Sequence, residues 1–359
     1  MAMLTTKYNN LLLLSTIVCI ILQMQVSSNA SCELYSRKET QLVVNLLSSP
    51  TKDEVMVGLL LSMKLNVDPS EIRSQLFNSP DSVNHAPPEV VAITFAELGV
   101  LQESDIGQLL DGTTDTEIIT ENYCMYRLTS ETIYLDAIAS FLDSDNLSAR
   151  VTALALLAKV GHDAANYNEQ LLANFQANNP NEFVKYAAIQ ALVSSGYFSS
   201  DYAHEFIMDE LNNEVKYNLA LFSIFVAPEM DVYSDLIITT LKNSSSLDDY
   251  LLPPVMLYEG DNQEMTDIML ELVENDVGRL DNCAYAFMSI GEDVIPLMFE
   301  MLDSDDYKLR CVANYVLYYY GFEPDVRIQS LISLQGSEDF GVSDEAQVFL
   351  ARIRGKNEY

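Results

Sequence analysis

The stretch Val184–Gly196, VKYAAIQALVSSG, decides the fold. Val184, Ala187, Ala188, Ala191 and Leu192 recur at helical spacing, so they share one apolar face. Three of these five are alanine, and small residues let a neighbouring helix sit close. Gly196 ends the run, at the place where left-handed backbone commonly closes a helix.

The run returns along the chain. Ala149–Gly161 reads ARVTALALLAKVG and Leu309–Gly321 reads LRCVANYVLYYYG, with Arg150 and Arg310 in the slot of Lys185. Val215–Ala227 keeps Val215 and Lys216, and Arg279–Gly291 keeps Ala286, Phe287, Ile290 and Gly291. Weaker copies end near Asn66, Gly99, Thr129, Glu259 and Arg354. In order, the endpoints 66, 99, 129, 161, 196, 227, 259, 291, 321 and 354 lie 33, 30, 32, 35, 31, 32, 32, 30 and 33 residues apart. A fixed period of this size marks a repeat array.

Each period holds a second helical stretch upstream, among them Ile133–Leu142, Glu169–Gln176, Val232–Leu241, Met265–Val273 and Asp293–Leu302. The connectors are polar: DSDN at Asp143–Asn146, NNPN at Asn178–Asn181 and DSDD at Asp303–Asp306. Such residues cap helices and make turns. Each unit therefore reads as a helical hairpin that cannot bury both faces alone, so units stack into an all-α array of about ten hairpins. Asp81–Pro88 reads as a loop or the start of a helix. Pro253-Pro254 stands at the start of a helix or breaks one. The period runs through residues 228–260, so no domain boundary is placed there.

The second-helix pattern (apolar, basic, Ala-Ala, Ala-Leu, terminal Gly) resembles the HEAT repeat. Its period of about 32 is similar to the short form named for phycobilin-lyase subunits. The resemblance covers roughly residues 40–355 and is carried by Val184–Gly196, Ala149–Gly161 and Leu309–Gly321. It implies a right-handed α-solenoid whose second helices line the concave side. It also implies a ladder in which an Asp of the hairpin turn meets the basic residue of the second helix. Asp145 with Arg150, and Asp306 with Arg310, match those positions; Lys185 and Lys216 lack an equally clear Asp.

Residues 1–30 read as a secretory signal peptide: Lys7, an apolar core over Leu11–Ile21, and Ser28-Asn29-Ala30 as the cleavage site. The chain is then secreted or periplasmic, and the mature solenoid domain runs over 31–359. Cys32 near the site raises lipidation as an alternative, but Asn29-Ala30-Ser31 lacks the usual aliphatic residue. The full chain carries a net charge of −34. Removing 1–30, with one lysine and no acid, takes it to −35. The charge is spread over every repeat. Such a surface repels phosphate backbones and anionic membranes. It favours a basic protein or peptide, or divalent ions, and it also serves solubility.

Nothing in the sequence assembles a reaction. His85, His162 and His204 fall in three different repeats, and no HExxH, CxxC, GxSxG or phosphate loop occurs. No cofactor or metal site is expected. The acidic turns at Asp143 and Asp303 lack the glycine and glutamate of a calcium loop: Ser148 and Lys308, Leu154 and Asn314 stand in those places. They read better as caps. Cys283 and Cys311 lie on second helices of adjacent repeats, which sets a disulfide against plain burial as small apolar residues. Asn146-Leu-Ser148 and Asn243-Ser-Ser245 are glycosylation sequons in predicted turns.

Tyrosine is enriched, 20 against no tryptophan. Tyr186 and Tyr217 share one slot of successive second helices, and Tyr285 and Tyr315 share another. They are either anchors on an acidic concave surface or inter-repeat packing. The leading expectation is a non-catalytic protein-binding scaffold. The alternatives are an enzyme-accessory subunit resembling the bilin-lyase proteins, and a self-assembling envelope or matrix protein.

Overall fold

The reference stretch is helical from Glu182 to Ser194. Asn181 caps its start, its side chain accepting from the Phe183 amide at 3.0 Å. At its end the Tyr197 amide reaches back to Leu192 O at 2.8 Å across Gly196, whose φ is +81°. The same closing bond recurs from Val100 to Phe95 O (3.0 Å) and from Phe322 to Leu317 O (3.1 Å). It satisfies carbonyls that the helix would otherwise leave unpaired. The expected endpoints Gly99, Gly161, Gly196, Gly291 and Gly321 all have left-handed φ, and Ser130 (φ +60°) takes that part beside Thr129. Periodicity read from side chains is thus written again in the backbone.

The computed structural model describes residues 36–49, 51–78, 86–177, 181–199, 261–275 and 280–322, with short pieces at 201–202, 205–206, 237–239, 241–243, 247 and 252–258. The signal-peptide region, Cys32, Tyr217, Lys216, Ala227 and Arg354 lie outside them. Among the described residues there is no strand, and no helix is long and apolar enough to cross a membrane. The first helices of the hairpins are α1 (Arg37–Leu47), α3 (Pro69–Asn78), α5 (Glu103–Leu109), α7 (Ile133–Ala139), α9 (Asn168–Gln176), α12 (Asn262–Asn275) and α14 (Ile295–Leu302). The second helices are α2 (Lys52–Lys64), α4 (Pro88–Glu97), α6 (Asp115–Thr129), α8 (Leu147–Val160), α10 (Glu182–Ser194), α11 (Leu252–Leu257), α13 (Leu280–Met288) and α15 (Tyr307–Tyr319). Both proline pairs settle at helix starts: Pro87-Pro88 opens α4, and Pro253-Pro254 lies in the first turn of α11, where a missing amide costs nothing.

The described chain forms two compact units. One comprises the described parts of 50–63 and 69–230, the other those of 34–49, 64–68 and 231–359. In the first, the second helices pack in chain order, α4 on α6, α6 on α8 and α8 on α10. α8 shows why: Ala149, Val151 and Ala153 through Ala158 are buried on all sides. A helix apolar all round must be enclosed, and each leucine so buried contributes about 2 kcal/mol. In the second unit α11 packs on α13 and α13 on α15. There α1 lies against α15, burying Leu42, Val43, Leu46 and Leu47. Asn45 Nδ2 donates to Tyr319 O at 2.7 Å. In the second unit α1 thus covers the last described helix.

Candidate interaction surface

The two acidic turns, 160 residues apart, are built alike. Ser144 Oγ accepts from the Asn146 amide and Ser304 Oγ from the Asp306 amide, both at 3.1 Å. Asn146 Oδ1 then caps α8, accepting from Ser148 N at 3.1 Å, and Asp306 Oδ1 caps α15, accepting from Lys308 N at 2.8 Å. Arg150 donates to Ser144 O at 2.9 and 2.6 Å, and Arg310 to Ser304 O at 2.5 Å. The described ion pairs do not include Asp145–Arg150 or Asp306–Arg310. The charge ladder expected of these four residues is replaced by an arginine clasp on a main-chain carbonyl. Asp145 is exposed on the rim and Asp306 is engaged as the cap of α15, and each guanidinium takes the main-chain carbonyl inside its turn instead. Lys185, in the same slot, lies 4.5 Å above the Phe206 ring.

The tyrosine columns are corrected too. Tyr186, Tyr285 and Tyr315 are only 4, 3 and 3% exposed. The Tyr285 and Tyr315 hydroxyls meet at 3.0 Å, and their rings lie 5.8 Å apart. Small alanines in the neighbouring slots let successive helices close over these rings, so they pack between repeats and present no anchor to a partner. Tyr217 lies outside the described residues. Cys283 and Cys311 are fully buried with no disulfide between them. They fill core positions as small apolar side chains.

Sequence reasoning missed a charge network at the ends of three second helices. Glu97 ends α4, Arg127 lies in the last turn of α6, and Lys159 in that of α8. Lys159 Nζ meets Glu97 Oε2 at 3.1 Å, and Arg127 Nε stands 3.8 Å from Glu97 Oε1. The Tyr123 hydroxyl donates to the same carboxylate. The Lys159 side chain is 2% exposed. Burial pushes its ammonium down to about 8, with Glu97 pulling the other way. Burial, then the Glu97 charge, holds the Tyr123 phenol well above its ordinary value. The signal was present in the sequence. Residues 97, 127 and 159 each stand two before the endpoints 99, 129 and 161, so one register slot brings them together.

Near those helix ends, successive hairpins of the first unit are tied to one another by side-chain hydrogen bonds. The Tyr126 hydroxyl donates to Asp163, and Tyr167 donates to Asp136 Oδ1 at 2.6 Å. The His162 ring nitrogen Nδ1 lies 3.1 Å from Ser195 O, and Ser195 Oγ donates to Asn168 Oδ1 at 2.7 Å. Gly196 leaves room for this: a Cβ there would stand 2.6 Å from His162 Cε1. The large apolar residues exposed in that unit are Leu128 (39%) near the end of α6, Ile133 (65%) at the start of α7, Tyr197 (49%) just after α10 and Tyr202 (43%) in a short helical piece. Phe198 sits between the two tyrosines, at 5.2 Å from Tyr197 and 4.4 Å from Tyr202. Behind it stands Phe175, 5.6 Å away. Of the exposed aromatics described in that unit, Tyr197 stands just past the end of α10 and Tyr202 in the short helical piece that follows, outside the slots singled out in the sequence.

Burial raises the Cys124 thiol to about 12, so it stays protonated. Lys159 is out of reach of a solvent-borne substrate. Among the described residues, no group of three His, Cys, Asp or Glu is placed to hold a metal ion. No family model and no curated protein matches the chain. Among solved structures, the crystal structure of an engineered protein from the Northeast Structural Genomics Consortium is 14% identical and is aligned over 94% of this chain and 99% of its own. Its TM-score is 0.23, which supports no statement about fold.

Proposed function

We propose that this protein is a secreted or periplasmic, non-catalytic scaffold that holds a basic protein or peptide. Its hairpins form a right-handed α-solenoid of the short HEAT-like kind. Chain-order packing of second helices and the recurring left-handed closures support the solenoid reading. The binding role rests on one observation. Over residues 128–202 there are eight Asp and Glu against three Lys and Arg, a net charge of −5. All three bases are engaged internally: Arg150 on Ser144 O, Lys159 on Glu97 and Lys185 over Phe206. The surface is left with carboxylates and no competing cation from that stretch. Such a field draws in a cationic partner and weakens as salt screens it.

The test is a pull-down from the native extracellular or periplasmic fraction with the full mature chain, read by mass spectrometry. One basic protein retained at low salt and released at high salt is expected. Recovery of the chain alone would point to self-assembly. A small coloured or covalently held molecule with no protein would point to the enzyme-accessory role, and either result overturns the scaffold.

A further inference from the structure

We infer that Glu39, Glu292, Asp293 and Tyr320, all in the second unit, form a seat for an arginine side chain of the basic partner. This rests on the scaffold reading and adds a place and a chemistry to it. Glu39 lies in the first turn of α1. Its carboxylate ties three segments together. Oε2 accepts from Asn66 N at 3.0 Å and Oε1 from Glu292 N at 3.4 Å. Gly291 permits the approach, since a Cβ there would stand 2.7 Å from Glu39 Oε1. Ser36 Oγ, at the start of α1, donates to Glu292 Oε2 at 3.3 Å. Further along α1, Asn45 holds Tyr319 O at 2.7 Å, and Gln41 Cγ stands 3.6 Å from where a Cβ on Gly321 would be. Tyr320 falls between those two contacts, against α1.

Grouped carboxylates alone are ordinary in a chain this acidic. The second observation is the Tyr320 hydroxyl. The residue is 4% exposed and its hydroxyl has no hydrogen-bond partner, whereas buried polar groups are nearly always paired. Burial, then the charges of Glu39, Glu292 and Asp293, hold its phenol above the ordinary value, so these are the groups that face it. Burial also lifts the Glu39 carboxyl above its usual range; the two amides pull it down, and the charges of Glu292 and Asp293 push it up. The described ion pairs include none of the three carboxylates, and neither Arg37 nor Lys38 beside Glu39. Lys38 lies 5.3 Å over the Phe322 ring instead.

The site thus lacks a cation, and guanidinium suits it better than a metal ion. Both Glu39 oxygens already accept from amides, and among the described residues no three such side chains are placed to hold an ion. The remaining lone pairs are spread over three carboxylates and a phenol, which a planar fork of N–H donors can span. Exposure is graded: Glu292 and Asp293 are exposed, Glu39 is half-buried and Tyr320 is buried. A side chain entering from solvent meets the charges first and the unpaired hydroxyl last. Guanidinium is also more weakly hydrated than ammonium, which favours arginine over lysine at a half-buried seat.

The experiment titrates the full mature chain with a blocked glycine–arginine–glycine peptide by calorimetry at moderate salt, beside its lysine and citrulline counterparts. Saturable binding of one arginine peptide is expected, about fivefold tighter than lysine, with none for neutral citrulline. The double substitution Glu292→Gln/Asp293→Asn should weaken it about tenfold. The control Glu131→Gln/Asp201→Asn, at exposed carboxylates of the first unit, should stay within about twofold of wild type. Tyr320→Phe should weaken binding about threefold without lowering the urea midpoint, because the hydroxyl it removes has no partner to lose. Circular dichroism confirms that each variant is folded. Unchanged affinity in the folded Glu292→Gln/Asp293→Asn or Tyr320→Phe chain overturns the seat, as does an arginine peptide that fails to bind wild type. Displacement of the peptide by millimolar calcium at equal ionic strength would assign the seat to a metal ion and overturn it too. The scaffold reading is judged apart, by using the Glu292→Gln/Asp293→Asn chain as a second bait in the pull-down. A basic partner held equally by both baits overturns the seat and leaves the scaffold standing; no basic partner on either overturns the scaffold.

Discussion

The ends of the second helices are held by different physics in the two units. In the first, Glu97, Arg127, Lys159 and Tyr123 meet in a charged, largely buried network. In the second, equivalent positions are Ser289 and Tyr319, and the interior is neutral and aromatic. Tyr315 lies 5.1 Å from Tyr319 and 5.8 Å from Tyr285. The same register slot thus accommodates either solution, provided each buried group is matched across the interface. Stacking demands complementarity between neighbours, and the chemistry used to reach it is open.

The largest effect expected from breaking this contrast comes from Glu97→Ala. It leaves Lys159 buried without its counter-charge, so stability should fall by about 3–5 kcal/mol. Urea denaturation would read this as a lower midpoint. Glu131→Ala, on an exposed loop, is the control, and an equal response from both would remove the network from the account. Next comes pH. Lys159 titrates at about 8 when folded, against an ordinary 10.5. Between these values the unfolded chain binds more protons, so stability rises with pH. The penalty of burying the ammonium, on the order of 3 kcal/mol, is full below pH 8 and fades toward 10.5. Above pH 10 Tyr123 acts oppositely, because its phenol ionises only in the unfolded chain. The stability of wild type relative to Lys159→Met should therefore climb between pH 8 and 10; a flat difference would contradict the burial. The smallest effect belongs to the neutral unit. Tyr285→Phe and Tyr315→Phe should each cost about 1 kcal/mol. The double variant should lose less than the sum, since one bond joins them; strict additivity would deny the coupling.

Much of the architecture was legible because a helix end is a local event. A glycine after an apolar run fixes where the chain turns, and six left-handed residues fall at or beside endpoints read from side chains alone. The acidic turns were legible for the same reason, as caps at Asn146 and Asp306. The tyrosines were not. Slot-sharing shows that Tyr285 and Tyr315 align, but whether aligned rings face each other or solvent depends on how closely the helices approach. That distance is set jointly by both partners. Tyr197 and Tyr202 escaped notice because they stand past the Gly196 endpoint, outside the recurring slots of the second helices. The Glu97 network sat in one slot of three repeats, yet acids are so abundant here that a single glutamate gives no signal until burial distinguishes it.

The clasp formed by Arg150 and Arg310 has a consequence for how such a chain can change. Its acceptor is a peptide oxygen, which every residue provides, so the arginine's own bond does not depend on the side chain it grips, even though the serine hydroxyl of each turn serves the cap residue's amide. One codon installs the clasp in any hairpin, and losing it leaves no orphaned charge behind. Duplication of a hairpin carries its closure along intact, and the neighbouring turn is free to drift toward whatever its own surface requires.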